Sequence, residues 1–168
     1  MRPQDVVILL KIIALNNSDW RLIDVAGELE ISVSEVSESL NRSVAAGLID
    51  YKKKAVKRMN LMEFIEHGLK YVFPQQPGTL VRGVPTAHAQ PSVRNVFVSE
   101  MDYVWPDQKG TLSGLAIEPL YKKQTSAVLK DQTLYFLLAL VDLIRVGRVR
   151  EVTFAVSELK KQLLNESS

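Results

Sequence analysis

Apolar residues along the first 46 positions fall into three groups at helical spacing. Val6, Leu9, Leu10 and Ile13 recur at three- and four-residue steps, which predicts a helix over Pro3 to Leu15 with one apolar face. Proline near its start is harmless, because the N–H it lacks has no partner in a first turn. The polar run Asn16–Asp19 competes for backbone bonds and ends it. Leu22, Val25, Ala26 and Leu29 predict a second, shorter helix over Leu22 to Leu29. Ser32 followed three residues later by Glu35 is a capping-box pattern. It opens a third helix over 33–46, inward at Val36, Leu40 and Val44, and Gly47 stops it.

Beyond this point the pattern changes twice. Leu48 to Tyr51 reads as a short extended segment. Asn60 with Glu63 repeats the capping signature before Leu61, Phe64, Ile65, Leu69 and Val72, a fourth helix ending before Pro74. Residues 74–95 then hold four of the seven prolines and two of the eight glycines, which predicts a connector without regular hydrogen bonding. Its length suits either a separator between two modules or an ordered Ω-like excursion. Tyr103–Trp105 and Leu112–Ile117, separated by Pro106–Gly110, read as the two strands of a hairpin. Asp131 caps a helix running to Val146, and Glu151–Leu164 forms another after Gly147. Residues 134–141 are apolar on every side, so that helix is expected either to complete the core or to meet a second chain. The expected fold is mainly α with a small β part (α+β), in three regions: 1–73, a connector 74–95, and a hairpin-plus-helices module 96–168.

Composition narrows the functional classes. With 46% hydrophobic and 24% charged residues in 168, the chain is neither a disordered nor a collagen-like protein. The absence of cysteine excludes disulfides, a thiol nucleophile and thiolate metal sites. The apolar run Val6–Leu15 is broken by Lys11 and has no cleavage pattern behind it. Leu134–Val141 is far shorter than the roughly 20 residues of a membrane span. A cytoplasmic protein without membrane contact is expected. The net charge of +2 is uninformative, but its distribution is not. Residues 1–50 carry four basic and eight acidic groups, net −4, whereas 51–73 carry six and two, net +4.

The strongest local signal is the run Asp24 to Leu40, closing with Ala46-Gly47-Leu48-Ile49. Two helices crossing steeply need a small residue between them, and Ala26 supplies one. Leu29, Ile31, Val36 and Leu40 anchor both sides of the tight turn. This pattern resembles the winged helix-turn-helix domain of bacterial transcriptional regulators, among them the multiple-antibiotic-resistance repressor and arsenical repressor groups, over about residues 5–58. The resemblance implies that 33–46 is a recognition helix and that Gly47–Ile49 lead into a wing. It implies that Ser34, Glu35, Ser37, Glu38, Asn41 and Arg42 face a DNA groove, with Ser34 and Ser37 donating to phosphates and Asn41 and Arg42 reaching base edges. Glu35 and Glu38 depart from a DNA-binding pattern, since carboxylates repel phosphate. Lys52, Lys53, Lys54, Lys57 and Arg58 put five cations into seven positions, where a wing approaches the backbone. No returning strand is visible before Asn60, so this wing is expected to be truncated.

Other chemistry is sparse. His67 is expected to join a helix-surface set with Glu63 and Tyr71, and His88 sits in the proline-framed stretch Arg82–Pro91. Two histidines do not close a zinc site, and no phosphate-loop, dinucleotide or hydrolase motif occurs. Asp102 and Asp107 are the weakest of catalytic candidates. Aromatic residues between 97 and 136 suit core packing better than base stacking, because few cations interleave them. Arg145, Arg148 and Arg150 form a second basic cluster, expected as a solvated helix end. The expected function is transcriptional regulation on double-stranded DNA, without catalysis, metal or cofactor. A homodimer would set two recognition helices about one DNA turn apart. The rival reading is a protein-interaction adaptor with a protein partner in place of DNA.

Overall fold

Pro3–Leu15 forms the first helix, α1, and every residue from Asp5 to Ile13 is buried. One apolar face would have sufficed for a surface helix, so α1 is covered on all sides. Leu22–Leu29 (α2) and Val33–Ala45 (α3) pack against it from one direction, and Gln132–Val146 (α7) from another. The computed structural model describes residues 1–164 of the chain. Arg58–His67 (α4), Leu69–Val72 (α5), Gln124–Leu129 (α6) and Val149–Leu164 (α8) complete the helices. The fold is mixed α/β, 54% helical and 11% strand, with one small sheet.

The first three helices lie within a residue of their expected ends, for the local reasons given above. Ser32 caps α3 by accepting the Glu35 N–H at 3.1 Å. Asp131 does the same for α7, accepting from Leu134 N–H at 3.0 Å. The expected second capping box is absent: α4 starts at Arg58, and Asn60 instead donates its amide to the Gly47 carbonyl at 2.8 Å. The fourth helix also divides, at Gly68, into α4 and α5.

The sheet departs further from expectation. Leu80–Thr86 is a strand, β1, inside the stretch expected to lack regular hydrogen bonding. Tyr103–Pro106 (β2) and Leu112–Ala116 (β3) do not form a hairpin with each other. Both pair antiparallel with β1, and they run parallel to one another, closing a miniature three-stranded barrel. The registers explain how a proline-containing strand can do this. Val84–Thr86 pair with β2 alone and Leu80–Arg82 with β3 alone, so Pro85 needs to present no N–H to a second neighbour. Gly83 is where the two pairings meet. A Cβ there would lie 2.1 Å from the Trp105 carbonyl oxygen, so only glycine allows the strands this close.

The second all-apolar helix resolves to burial within the chain. Leu134–Ile144 of α7 are buried except for half-exposed Phe136, under α8, α1, α6, β1 and the 3-10 turn Ala87–Ala89. One continuous apolar cluster runs from Val6 to Leu163 and crosses the 73/74 and 95/96 boundaries. This helix therefore offers no free face for a second copy. Among the described residues, no helix is long and apolar enough to cross a membrane.

Charged groups inside this core are paired across long sequence distances. Lys11, 2% exposed, reaches Glu28 on α2 and Asp131 at the start of α7, both at 2.5 Å. Asp142, in the middle of the apolar helix, accepts from Thr86 Oγ1 of β1 and Trp105 Nε1 of β2, each at 2.7 Å. Arg145, one turn on, donates to Asp142 at 3.2 Å and to the Phe73 carbonyl at 3.1 Å. Burial pushes the Asp142 carboxyl above its ordinary value, against the Arg145 charge and the three donors. Replacing Asp142 with Ala would leave Arg145, Thr86 and Trp105 without their acceptor. That should cost about 3–5 kcal/mol in urea denaturation. A loss below about 1 kcal/mol would mean that the sheet is fastened by packing alone.

Candidate nucleic-acid interface

Two elements meet at the lysine-rich strip. The first is α3, whose exposed residues include Ser34, Glu35, Glu38 and Asn41. The second is a tight turn after it. Ile49 and Val56 form an antiparallel bridge, with Lys57 N–H donating to Leu48 O at 2.8 Å and Asp50 N–H to Ala55 O at 3.0 Å. The chain does return after the lysines, but over a single isolated bridge and no strand, a return as short as the expected truncation. Its brevity explains why no alternating pattern marked it.

Asp50 organises this turn. Its carboxylate accepts the N–H groups of Lys54 at 2.7 Å and Ala55 at 3.0 Å, and its carbonyl accepts that of Lys53 at 2.9 Å. Those two bonds to its carboxylate, from Lys54 first, hold the Asp50 carboxyl below its ordinary value. Lys53 takes a left-handed backbone, φ 60°, to complete the reversal. Trp20, buried at 4% exposure, fixes the turn to the body by donating Nε1–H to the Lys54 carbonyl at 3.1 Å. The Lys54 ammonium lies over the indole, 4.7 Å from its centroid, and donates to the Trp20 carbonyl.

The sequence-derived site residues separate into two groups. Ser34, Glu38, Asn41, Lys52, Lys54 and Lys57 are exposed, and Ser37 and Lys53 are half-buried. The Ser34 hydroxyl lies 3.2 Å from that of Ser32. Lys54 is held by Trp20 as described. Arg58 donates to the Leu163 carbonyl at 3.0 Å, closing the C-terminal end of α8. Arg42, expected at base edges, points the other way. Its Nε meets Asp5 Oδ2 at 2.9 Å and its Nη2 meets Oδ1 at 2.8 Å, a two-pronged pair joining α3 to α1. Ser39, also on α3, donates to the same carboxylate at 2.6 Å. The spacing of Arg42 gave no warning of this, because its partner lies 37 positions earlier.

A cavity of about 250 Å3 opens between α3 and the turn, lined by Trp20, Leu22, Leu40, Ser37, Lys52, Lys53 and Lys54. Trp20 and Leu22 had been no part of the sequence-derived site. The two histidines lie elsewhere. His67 is exposed, 3.6 Å from Glu66 rather than grouped with Glu63 and Tyr71. His88 is buried, with Nε2 2.7 Å from the Met101 carbonyl and Nδ1 3.7 Å from Glu151. Among the described residues no cluster of His, Asp or Glu is placed to hold a metal ion.

The chain matches no family model, no curated protein and no solved structure. The interface offers two hydroxyls, an amide and two carboxylates on a helix beside an edge of three lysines, with Arg42 withdrawn into the scaffold.

That withdrawal has a measurable consequence. Desolvation pushes the Asp5 carboxyl up, but bonds from Arg42, Ser39 and the Arg2 N–H together outweigh it and hold it below its ordinary value. A depressed carboxylate contributes stability above its unfolded pKa of about 4, lost as pH falls through the folded value. Arg42→Ala would strand a fully buried carboxylate, costing about 3–5 kcal/mol. The penalty should be largest at pH 7 and shrink toward pH 4.5, because without Arg42 the desolvation meets weaker opposition and protonating Asp5 relieves the unpaired buried charge. Unchanged denaturation midpoints at pH 7 and pH 4.5 would instead free Arg42 for a surface role.

Proposed function

We propose that this protein is a cytoplasmic, DNA-binding transcriptional regulator of the winged helix-turn-helix kind, without catalytic activity. The observation that carries the reading is the adjacency of an exposed α3 face to the Lys52–Lys57 turn across one shared cavity. A helix about 10–12 Å wide fits a major groove, and a cationic edge beside it meets the phosphates of the groove wall. In this reading Asn41 contacts a base edge, and Ser34 and Ser37 donate to phosphate. Lys52, Lys53 and Lys57 supply the electrostatic affinity. Glu38 is an acceptor for a cytosine amine and a repellent elsewhere, which lends sequence preference through mismatch. Arg42 and Arg58 act as scaffold, holding α3 and α8 at their angles. A homodimer would have to form through a surface other than α7.

The test is fluorescence anisotropy of labelled duplexes recovered by selection from genomic fragments, over a salt series. Replacing Lys52, Lys53 and Lys57 together with Ala should weaken binding to all sequences and flatten the log–log salt slope by about 2–3. Asn41→Ala should leave the slope alone and relax preference at one position by about 1–3 kcal/mol. Absence of duplex binding at low salt, with a stoichiometric protein captured on the same lysines, would replace this reading by the adaptor one.

A further inference from the structure

The cavity between α3 and the lysine turn is more than a notch in a DNA-facing surface. Its lining divides chemically. Trp20, Leu22 and Leu40 are apolar, Ser37 brings a hydroxyl, and Lys52 and Lys53 bring ammonium groups, with no carboxylate among them. The third lysine, Lys54, is already committed to the Trp20 carbonyl and ring. Among the described residues Lys52 has only a long contact with the Tyr51 ring, 5.9 Å to its centroid, which an anion can displace. Two such cations around one recess match a ligand of charge near −2 better than a single carboxylate. A phosphate monoester carries roughly −1.5 to −2 at neutral pH. The apolar lining, half-exposed Leu22 with buried Trp20 and Leu40, gives a ligand with a carbon body something to cover that an inorganic ion would leave uncovered. The volume of about 250 Å3 lies below the roughly 300–1,000 Å3 typical of drug-sized ligands, so that carbon body is small.

We infer that this cavity is a binding site for a small phosphate monoester of about sugar size, which occupies Lys52 and Lys53 and thereby competes with duplex. Binding itself stands on the cavity alone; the competition rests on the DNA-binding reading above. The site is built before the ligand arrives. Asp50 fixes the turn, and the Trp20 N–H bond to Lys54 ties it to the segment that leads into α2. Affinity is therefore not spent on ordering the loop. Trp20 also gives the site a spectroscopic reporter, because a charge placed on these lysines changes the electrostatic environment of the adjacent indole.

The experiment titrates the full chain with ribose 5-phosphate, inorganic phosphate and ribose, by calorimetry and by tryptophan fluorescence. Ribose 5-phosphate should bind saturably at one site per chain, at least about tenfold more tightly than inorganic phosphate, and ribose not at all. The double variant Lys52→Ala/Lys53→Ala should weaken it by about tenfold or more. Ser37→Leu, which fills the recess without removing a charge, should do the same with an unchanged melting temperature. Inorganic phosphate binding as tightly as the ester, or ester binding unaltered in both variants, would overturn the assignment. Failure of the ester to bind while duplex still binds would remove this site and leave the regulator reading standing. Saturable ester binding in a protein that binds no duplex would keep the site and remove the regulator reading.

Discussion

Two helices of this chain, α1 over Asp5–Ile13 and α7 over Leu134–Ile144, leave almost no face to water, and the remaining elements are arranged to cover them. An apolar helix with only one covered side would expose a hydrophobic stripe along its length, at about 25 cal/mol for each Å2. Covering both helices from several directions takes more chain than the first three helices provide. That requirement draws the C-terminal half onto the N-terminal one: α8 packs on α4 and α7, and α6 on α7 and α2. The candidate interface is therefore mounted on the whole molecule. Its rear contact is α1, and α1 is held by α7.

Charges sealed in that core do what apolar packing cannot, which is to specify register. Apolar helices slide past one another with small losses, because one leucine replaces another at similar volume. Lys11 between Glu28 and Asp131, Asp5 against Arg42, and Asp142 against Thr86, Trp105 and Arg145 each tolerate one alignment only. A shifted helix would leave a buried charge unpaired, a cost of several kcal/mol. Each of these clusters joins parts of the chain that share no local sequence relation. The orientation of α3, on which any groove reading depends, is set by the Asp5–Arg42 pair rather than by the turn between α2 and α3 alone.

The local rules found what was local. Periodicity and capping located α1, α2 and α3 because those signals lie within a few residues of what they determine. Pro85 concealed β1, since proline argues against a strand with neighbours on both sides. Here each half of β1 has one neighbour, which a linear pattern does not reveal. The parallel pairing of β2 and β3 was hidden for a related reason. Ten residues or fewer between two extended segments suggest a hairpin unless a third strand intervenes, and β1 comes earlier in the chain. The lysine strip was visible as composition, and its placement beside α3 followed from the short connection. The fate of individual cations was not legible. Whether Arg42, Lys54 and Arg58 are engaged by the protein depends on Asp5, the Trp20 carbonyl and the Leu163 carbonyl, at separations of 37, 34 and 105 residues.

That withdrawal of cations bears on how such a surface could work. Of the five basic residues in the strip, Lys54 and Arg58 are held by the protein, and Arg42 on α3 is held as well. Lys52, Lys53 and Lys57 remain. Three phosphate contacts give a salt slope of about −2.7 and a weak sequence-independent affinity. Against them stand Glu35 and Glu38 on the exposed side of α3. One copy is therefore a poor trap for generic duplex, and useful affinity requires either a base contact that offsets the carboxylates or two copies acting on one DNA. Joining two weak modules makes the second contact intramolecular and multiplies affinity without any new contact chemistry. A surface balanced this closely is also easily switched. Neutralising two of its three cations removes most of the electrostatic term, so a small anion seated between Lys52 and Lys53 needs no conformational change to act.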